Sequence, residues 1–433
     1  MDEIIQYIIG FLIGGKNAAT LSQRVGYRLQ PSDYHKYNVV IKPSSFFDSG
    51  IYGTPLAMPH LPLKEMEGVP LLFGHPEIEQ VGTTLVVSND IIAASFFLLS
   101  RYEEMFYREA RDEHGRFPGR ESLAYRAGML HRPLVDEYGR LLRHWLRMSG
   151  VDVAEPERRI SKIWLTHDVD SPFFCQTMRQ LLRETIKGIG WRQAWNSFRK
   201  APSRDLYYTF PWLLACDNRL RKQLGEERVE SLFFLKAGGE GQYDKPKYNL
   251  RSTKLKTLIS LLKQQGATVG LHGSYAAGLK PALLKAEKKK LEEATGTAIR
   301  YNRNHFLTQR EPEDMDYLEA AGITDDFTMG YADVSGFRLG TCRPVRWINP
   351  VTRRLSSLTL HPLLVMECTL DEPKYMGLPY DEALAYCRQL IEAVKDVNGE
   401  LVLLWHNTTV VENEAGIYHR RLYQQLLNDL QAI

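Results

Sequence analysis

Cysteine is scarce and unpatterned in this chain. Its 433 residues include five, at 175, 216, 342, 368 and 387, with no CxxC pair. Such a set argues against both a disulfide framework and a zinc–thiolate site, so reduced cysteines in a cytoplasmic protein are expected. Long apolar runs are missing as well: nothing approaches the roughly 20 residues that span a bilayer. The N-terminal MDEIIQYIIGFLIGGKN starts with acidic residues and is interrupted by Gln6 and Gly10. It reads as an amphipathic or buried helix, because a secretory signal needs a basic start and an unbroken apolar segment. No sign of charge dominates, with 55 Lys and Arg against 52 Asp and Glu. Without a long basic block there is no electrostatic footprint for nucleic acid. Neither a GxGxxG turn after a strand nor a GK[ST] loop occurs, which weighs against a nucleotide cofactor.

What is present is globular: 44% hydrophobic, 11% aromatic and 25% charged residues. Residues 1–155 carry strand-like pieces (YNVVIKP, TTLVVSND) around a Pro/Gly-rich middle. A helix follows in DIIAASFFLLSRYEEMFYREARDE, with Asn89 or Asp90 as N-cap, and another near Leu134 to Met148. This reads as a smaller α+β domain, with VDVAEPERR as its boundary. Residues 156–433 instead alternate short apolar runs with helices. The runs are KIWLTHD, ESLFFLKA, GATVGLHGS, AIRYNRNHFL, ITDDFT, LLVMECTL and ELVLLWHN; helices are expected over 250–265, 282–295 and 380–397. That alternation predicts an α/β fold, a parallel sheet or (β/α) barrel.

Functional side chains of such folds gather at the C-terminal ends of the strands. There the chain puts His167, Asp168 and Asp170, then His272 and Ser274, then Arg303 and His305, then Asp325 and Asp326, then His406 and Asn407. A lone strand-end histidine is ordinarily structural; five consistent placements are not so easily set aside. Asp170 and His272 have the oxygen and nitrogen donors suited to a divalent metal, zinc in particular. Asp168, two residues earlier, points to the same side and can serve as base toward a water. His406 can protonate a leaving group. Arg303 can keep Asp168 ionised and Asp326 can orient that guanidinium. The set describes metal-assisted hydrolysis.

Residues 158–433 resemble the polysaccharide deacetylase family, the NodB-homology domain of carbohydrate esterases. THDVD looks like its first motif in an Asp-Val-Asp variant, HGSY like the second, RNHF like the third and LLWH like the last. The resemblance implies a NodB-like distorted (β/α) barrel, a carbohydrate substrate and loss of an N-acetyl group from an amino sugar in surface-polysaccharide metabolism. By the same resemblance Asp168 is the base, Asp170 and His272 metal ligands, Arg303 the partner of the base and His406 the acid. It also puts the Phe306 backbone N–H in an oxyanion hole. FFLLSRYEE, HGRF and GFRLGT suggest a bacterial branch carrying the extra N-terminal domain.

Two positions depart from the pattern. Ala276 stands where a second metal histidine belongs, and His305 replaces the proline of the third motif. Either His305 moves in as third ligand, with His167 a poorer substitute because alternation points it away, or the metal is lost and the domain binds carbohydrate without catalysis. Hydrolysis of a non-sugar C–N bond is a further alternative. Ser274 and Arg338 are candidate substrate contacts; Arg338, Arg343 and Arg346 lie in a Gly-punctuated loop suited to an anionic sugar. Arg101 and Glu104 share a helical face and read as a structural ion pair between the domains. The lysines of KPALLKAEKKKLEEATG read as a solvated face, and the aromatics of DLYYTFPWLL as core or as a sugar platform.

Overall fold

The computed structural model describes residues 1–27, 30–175, 181–182, 186, 194–195, 197, 202–239, 241–245 and 247–432. The N-terminal run forms helix α1 (Asp2–Ile13), which buries Ile4, Ile5, Ile8, Ile9, Leu12 and Ile13. Strands β1 (Val25–Tyr27), β2 (Val39–Ile41), β5 (Gly74–Val81) and β6 (Thr84–Asn89) make a four-stranded sheet in the order β1-β2-β6-β5. A hairpin of β3 (Lys64–Met66) and β4 (Val69–Leu71) lies beside it. Helix α2 (Ile91–Leu99) starts at Asp90, whose carboxylate accepts the Ala93 N–H at 3.0 Å. The expected longer helix breaks at Arg101, in the left-handed region at φ 59°, before a short turn over Tyr102–Phe106. The break turns Arg101 inward to Glu104, 3.0 Å from its Nε. Helix α3 (Leu134–Met148) crosses α1 closely at Gly139, where a Cβ would lie 2.5 Å from the Leu12 carbonyl oxygen.

The remainder builds one curled, nine-stranded sheet in the order β12-β13-β11-β10-β9-β8-β7-β15-β14. Its strands are β7 (Lys162–Val169), β8 (Val229–Lys236), β9 (Thr268–Gly273), β10 (Tyr301–Asn304), β11 (Asp325–Asp326), β12 (Val345–Asn349), β13 (Arg354–Leu360), β14 (Val365–Met366) and β15 (Glu400–Leu404). All neighbours are parallel apart from the β12–β13 hairpin. Helices α4 (Phe210–Leu224), α5 (Thr253–Gln264), α6 (Pro281–Thr295), α7 (Glu367–Asp371), α8 (Tyr380–Asp396) and α9 (Glu414–Gln431) complete the α/β layering. The sheet is an open half-barrel. Trp164, Leu232, Phe234, Phe327, Leu363, Val402 and Leu404 form one buried cluster from strands on both sides of the curl.

Two details differ from expectation. VRWIN, whose first residues lie in the stretch expected to be loop, pairs with RLSSLTL in the hairpin that ends the sheet, and LLVMECTL is a two-residue strand turning at once into α7. Buried side chains from Ile4 to Leu430, on either side of the expected domain boundary, belong to a single cluster. Buried charge crosses the same boundary, with Glu104 accepting from both Arg101 and Arg338 and Asp136 accepting from Arg343 at 2.5 Å.

Candidate metal centre

In-register parallel pairing lines up the strand ends. His272 pairs with Lys236 on one side and Arg303 on the other, and Asp168 pairs with Phe234. Alternation along β7 sends His167 and Val169 one way and Asp168 and Asp170 the other. His167 is fully buried between the Trp405 carbonyl and Asp217, 3.0 Å from each. Val169 is fully buried in the core.

On the opposite side, Asp168 Oδ1 accepts from Arg303 Nη1 at 3.0 Å. Arg303 is completely buried; Nη1 also donates to Thr166 Oγ1 (2.7 Å), Nε donates to the Phe327 carbonyl (3.0 Å), and the guanidinium lies 4.7 Å over the Phe234 ring. A planar cation fixed on three sides holds the Asp168 carboxylate in one orientation.

Asp170 Oδ1 is 3.2 Å from His272 Nε2 and 3.1 Å from His305 Nε2. The other ring nitrogens define the tautomers. His272 Nδ1 is 2.9 Å from the Arg303 carbonyl, which can only accept, so Nδ1 carries the hydrogen and Nε2 the lone pair. His305 Nδ1 faces the buried Asp244 carboxylate at 3.5 Å in the same sense. With both rings neutral, three electron-rich atoms thus converge; Asp170 Oδ1 and His272 Nε2 are buried without a hydrogen-bond partner among the described residues. Such an arrangement is repulsive unless a cation occupies the centre. Two imidazoles and a carboxylate, each imidazole backed by an oxygen acceptor, fit a divalent transition metal such as zinc.

His406 approaches from β15, with Nε2 3.8 Å from Asp170 Oδ2. Its Nδ1 donates to Glu367 Oε1 at 2.8 Å, and its backbone N–H to the same oxygen at 2.6 Å. Glu367, fully buried at the start of α7, is raised by burial but held at about 2 by His406. Burial works against the His406 imidazolium, and the Glu367 charge more than offsets it, raising that imidazole well above its ordinary value.

Several sequence candidates fall elsewhere. Asp326 lies on the strand beside Arg303 without bonding its guanidinium; its oxygens accept from Asn302 Nδ2 (2.9 Å), Thr328 Oγ1 (2.8 Å) and the Thr328 N–H (2.8 Å). Ser274 is fully buried and donates to Glu287 Oε1 at 2.6 Å, so its hydroxyl closes the turn onto α6. Arg338 is buried on Glu104, with Nε–Oε1 at 3.0 Å and Nη2–Oε2 at 2.8 Å, and its Nη1 donates to the Gly330 carbonyl at 2.7 Å. Each of its three nitrogens thus donates within the fold. Phe306 is beside the centre, its ring 4.6 Å from that of His305, with φ 60°. Ala276 ends no strand; it precedes a 3₁₀ turn over Ala277–Leu279.

The sequence reading does not include Glu367 or Asp244. Glu367 ends an apolar run like the other site residues, but LLVMECTL has the pattern of a continuous strand. Asp244 sits in an aperiodic loop that offers no signal; it touches His305 only through the fold.

A family model described as a family of unknown function (DUF7033) matches residues 4–150. No curated protein matches the chain. Among solved structures, one named for a polysaccharide deacetylase from Mycobacterium smegmatis aligns at 16% identity and TM-score 0.38, covering 64% of this chain and 86% of its own. Another, of Puue allantoinase, aligns at 11% identity and TM-score 0.39, covering 65% of this chain and 89% of its own.

Proposed function

We propose that this chain is a divalent-metal-dependent hydrolase of C–N bonds that removes an acetyl or related acyl group from an amino sugar of a bacterial surface polysaccharide. The observation carrying the reading is the convergence of Asp170 Oδ1, His272 Nε2 and His305 Nε2, the first two of them buried without a hydrogen-bond partner among the described residues. A divalent ion held there, zinc by donor chemistry, supplies Lewis acidity that polarises the acyl carbonyl and acidifies the attacking water.

The residues around it divide the proton work. Asp168, oriented by Arg303 at 3.0 Å, accepts the proton of the attacking water. His406 Nε2 faces the same space, and its imidazolium, stabilised by Glu367 at 2.8 Å, gives its proton to the departing amine. The carboxylate and the imidazole reach the space from β7 and β15, adjacent strands of the sheet, so one bound bond can lie between base and acid. Cys216, Cys342, Cys368 and Cys387 form no disulfide among the described residues, in keeping with the cytoplasmic placement that belongs to this proposal. No single helix among the described residues is long and apolar enough to cross a membrane.

The test is metal content. Protein stripped with chelator and titrated with zinc should take up one equivalent, and His272→Ala and His305→Ala should each lose it. Restored protein should release acetate from an N-acetyl amino sugar in a panel that also contains cyclic ureides. A wild-type protein that binds no divalent ion ends the hydrolase reading and leaves carbohydrate binding without catalysis. Turnover of the ureides alone reassigns the substrate.

A further inference from the structure

The loop over 112–116 belongs to the N-terminal part of the chain, yet it reaches the metal centre. It is built around Asp112, whose Oδ1 accepts the backbone N–H groups of His114 and Arg116, each at 2.9 Å, while Oδ2 accepts Arg116 Nε at 2.7 Å. The Asp112 and Arg116 backbones close the loop through an N–H donated to the Arg116 carbonyl at 2.9 Å, and Gly115 takes φ 75° at the turn. The Arg116 guanidinium, so braced, donates from Nη1 to the Phe306 carbonyl at 2.7 Å. The buried His114 ring packs 4.8 Å from the Phe306 ring.

The target of that hydrogen bond is unusual. Phe306 and Leu307 lie consecutively in the left-handed region, at φ 60° and 52°, and neither is glycine. The peptide that Arg116 grips is the one joining these two residues, so it fixes ψ of the first and φ of the second. Strained backbone of this kind persists only where its surroundings over-determine it. This turn sets the direction of His305, the residue just before it, whose own carbonyl is held by Thr308 Oγ1 at 2.8 Å.

We propose that Arg116, braced by Asp112, is a positioning residue for His305: the N-terminal part clamps the left-handed Phe306–Leu307 peptide and thereby holds the third metal donor in place. This rests on the reading of His305 as a ligand. It makes residues 1–155 part of the reactive unit, since the ligand set is complete only with their loop docked.

The experiment is zinc affinity of the full chain, read by competition with a chromophoric chelator. Arg116→Ala should weaken binding by about 10- to 100-fold, the range found when a group supporting a ligand is removed. In a Phe306→Gly background, where the left-handed conformation is free of Cβ strain, the same substitution should weaken it by less than about threefold. Arg116→Lys, a single compact donor in place of the fork, should fall between the wild type and Arg116→Ala; it carries the test if Arg116→Ala does not fold. Arg108→Ala removes an exposed ion pair across the same boundary, 2.5 Å from Glu311, and should leave affinity unchanged. Wild-type protein that binds no zinc overturns the site reading itself. Zinc binding that is equal in wild type, Arg116→Ala and Arg116→Lys overturns the positioning role alone, as does an Arg108→Ala loss as large as that of Arg116→Ala.

Discussion

His361 links the two sides of the open sheet, and its protonation should be visible in stability. Its Nδ1 is 2.7 Å from Glu400 at the start of β15, and its Nε2 is 3.2 Å from Asp325 at the start of β11. Those strands are separated by four others in the sheet order, so the contact exists only because the sheet curls. The ring stacks on Phe327 at 4.5 Å, and Trp164 Nε1 donates to the same Glu400 oxygen at 2.9 Å. Burial works against the imidazolium, but the two carboxylates win and raise it from 6.5 to about 9. At about 1.4 kcal/mol per tenfold change in proton affinity, that corresponds to about 3 kcal/mol of linkage. The folded-state value lies above the unfolded one. The contribution is therefore complete below about pH 6.5 and lost as pH rises toward 9. Urea unfolding of wild type and His361→Gln at pH 6 and pH 9.5 isolates it, because other titrating groups are common to both proteins. The stability gap between them should shrink by about 3 kcal/mol at the higher pH. A gap that does not change with pH would refute the reasoning.

Two further outcomes follow from the site. Glu367→Gln removes the charge that holds the His406 imidazolium, so the alkaline limb of the kcat–pH profile should move to lower pH; an unmoved limb removes His406 from the role of acid. Ser274→Ala strips one donor from the buried Glu287 and should cost about 1–3 kcal/mol of stability without changing zinc affinity. A loss of zinc with stability intact would return Ser274 to the site.

Much of the layout was legible in the sequence because parallel strands carry a local signal. An apolar run followed at once by ionisable residues marks a strand's C-terminal end, and period-two alternation already separated Asp168 and Asp170 from His167. Where the signal was not local, the reading failed. The β12–β13 hairpin is an edge pair with half-exposed and charged positions, so it does not stand out as an apolar run. Nor does the Gly-punctuated loop around Arg338 signal that Glu104, far away in sequence, accepts from two of its nitrogens.

The sequence by itself determined the strand ends and the residue types they deliver: Asp168 and Asp170, His272, Arg303 and His406. Both features depend on neighbours only a few positions apart. Tertiary structure alone decided the rest. It turns His305 onto Asp170 through two left-handed residues, seats Glu367 and Asp244 behind the imidazoles, and brings Arg116 from the other end of the chain to the Phe306 carbonyl. Those contacts join segments up to about 190 residues apart, and no periodicity along the chain encodes them. They exist because one core ties the N-terminal layer to the curled sheet, so that each long-range pair is held by packing that neither segment specifies alone.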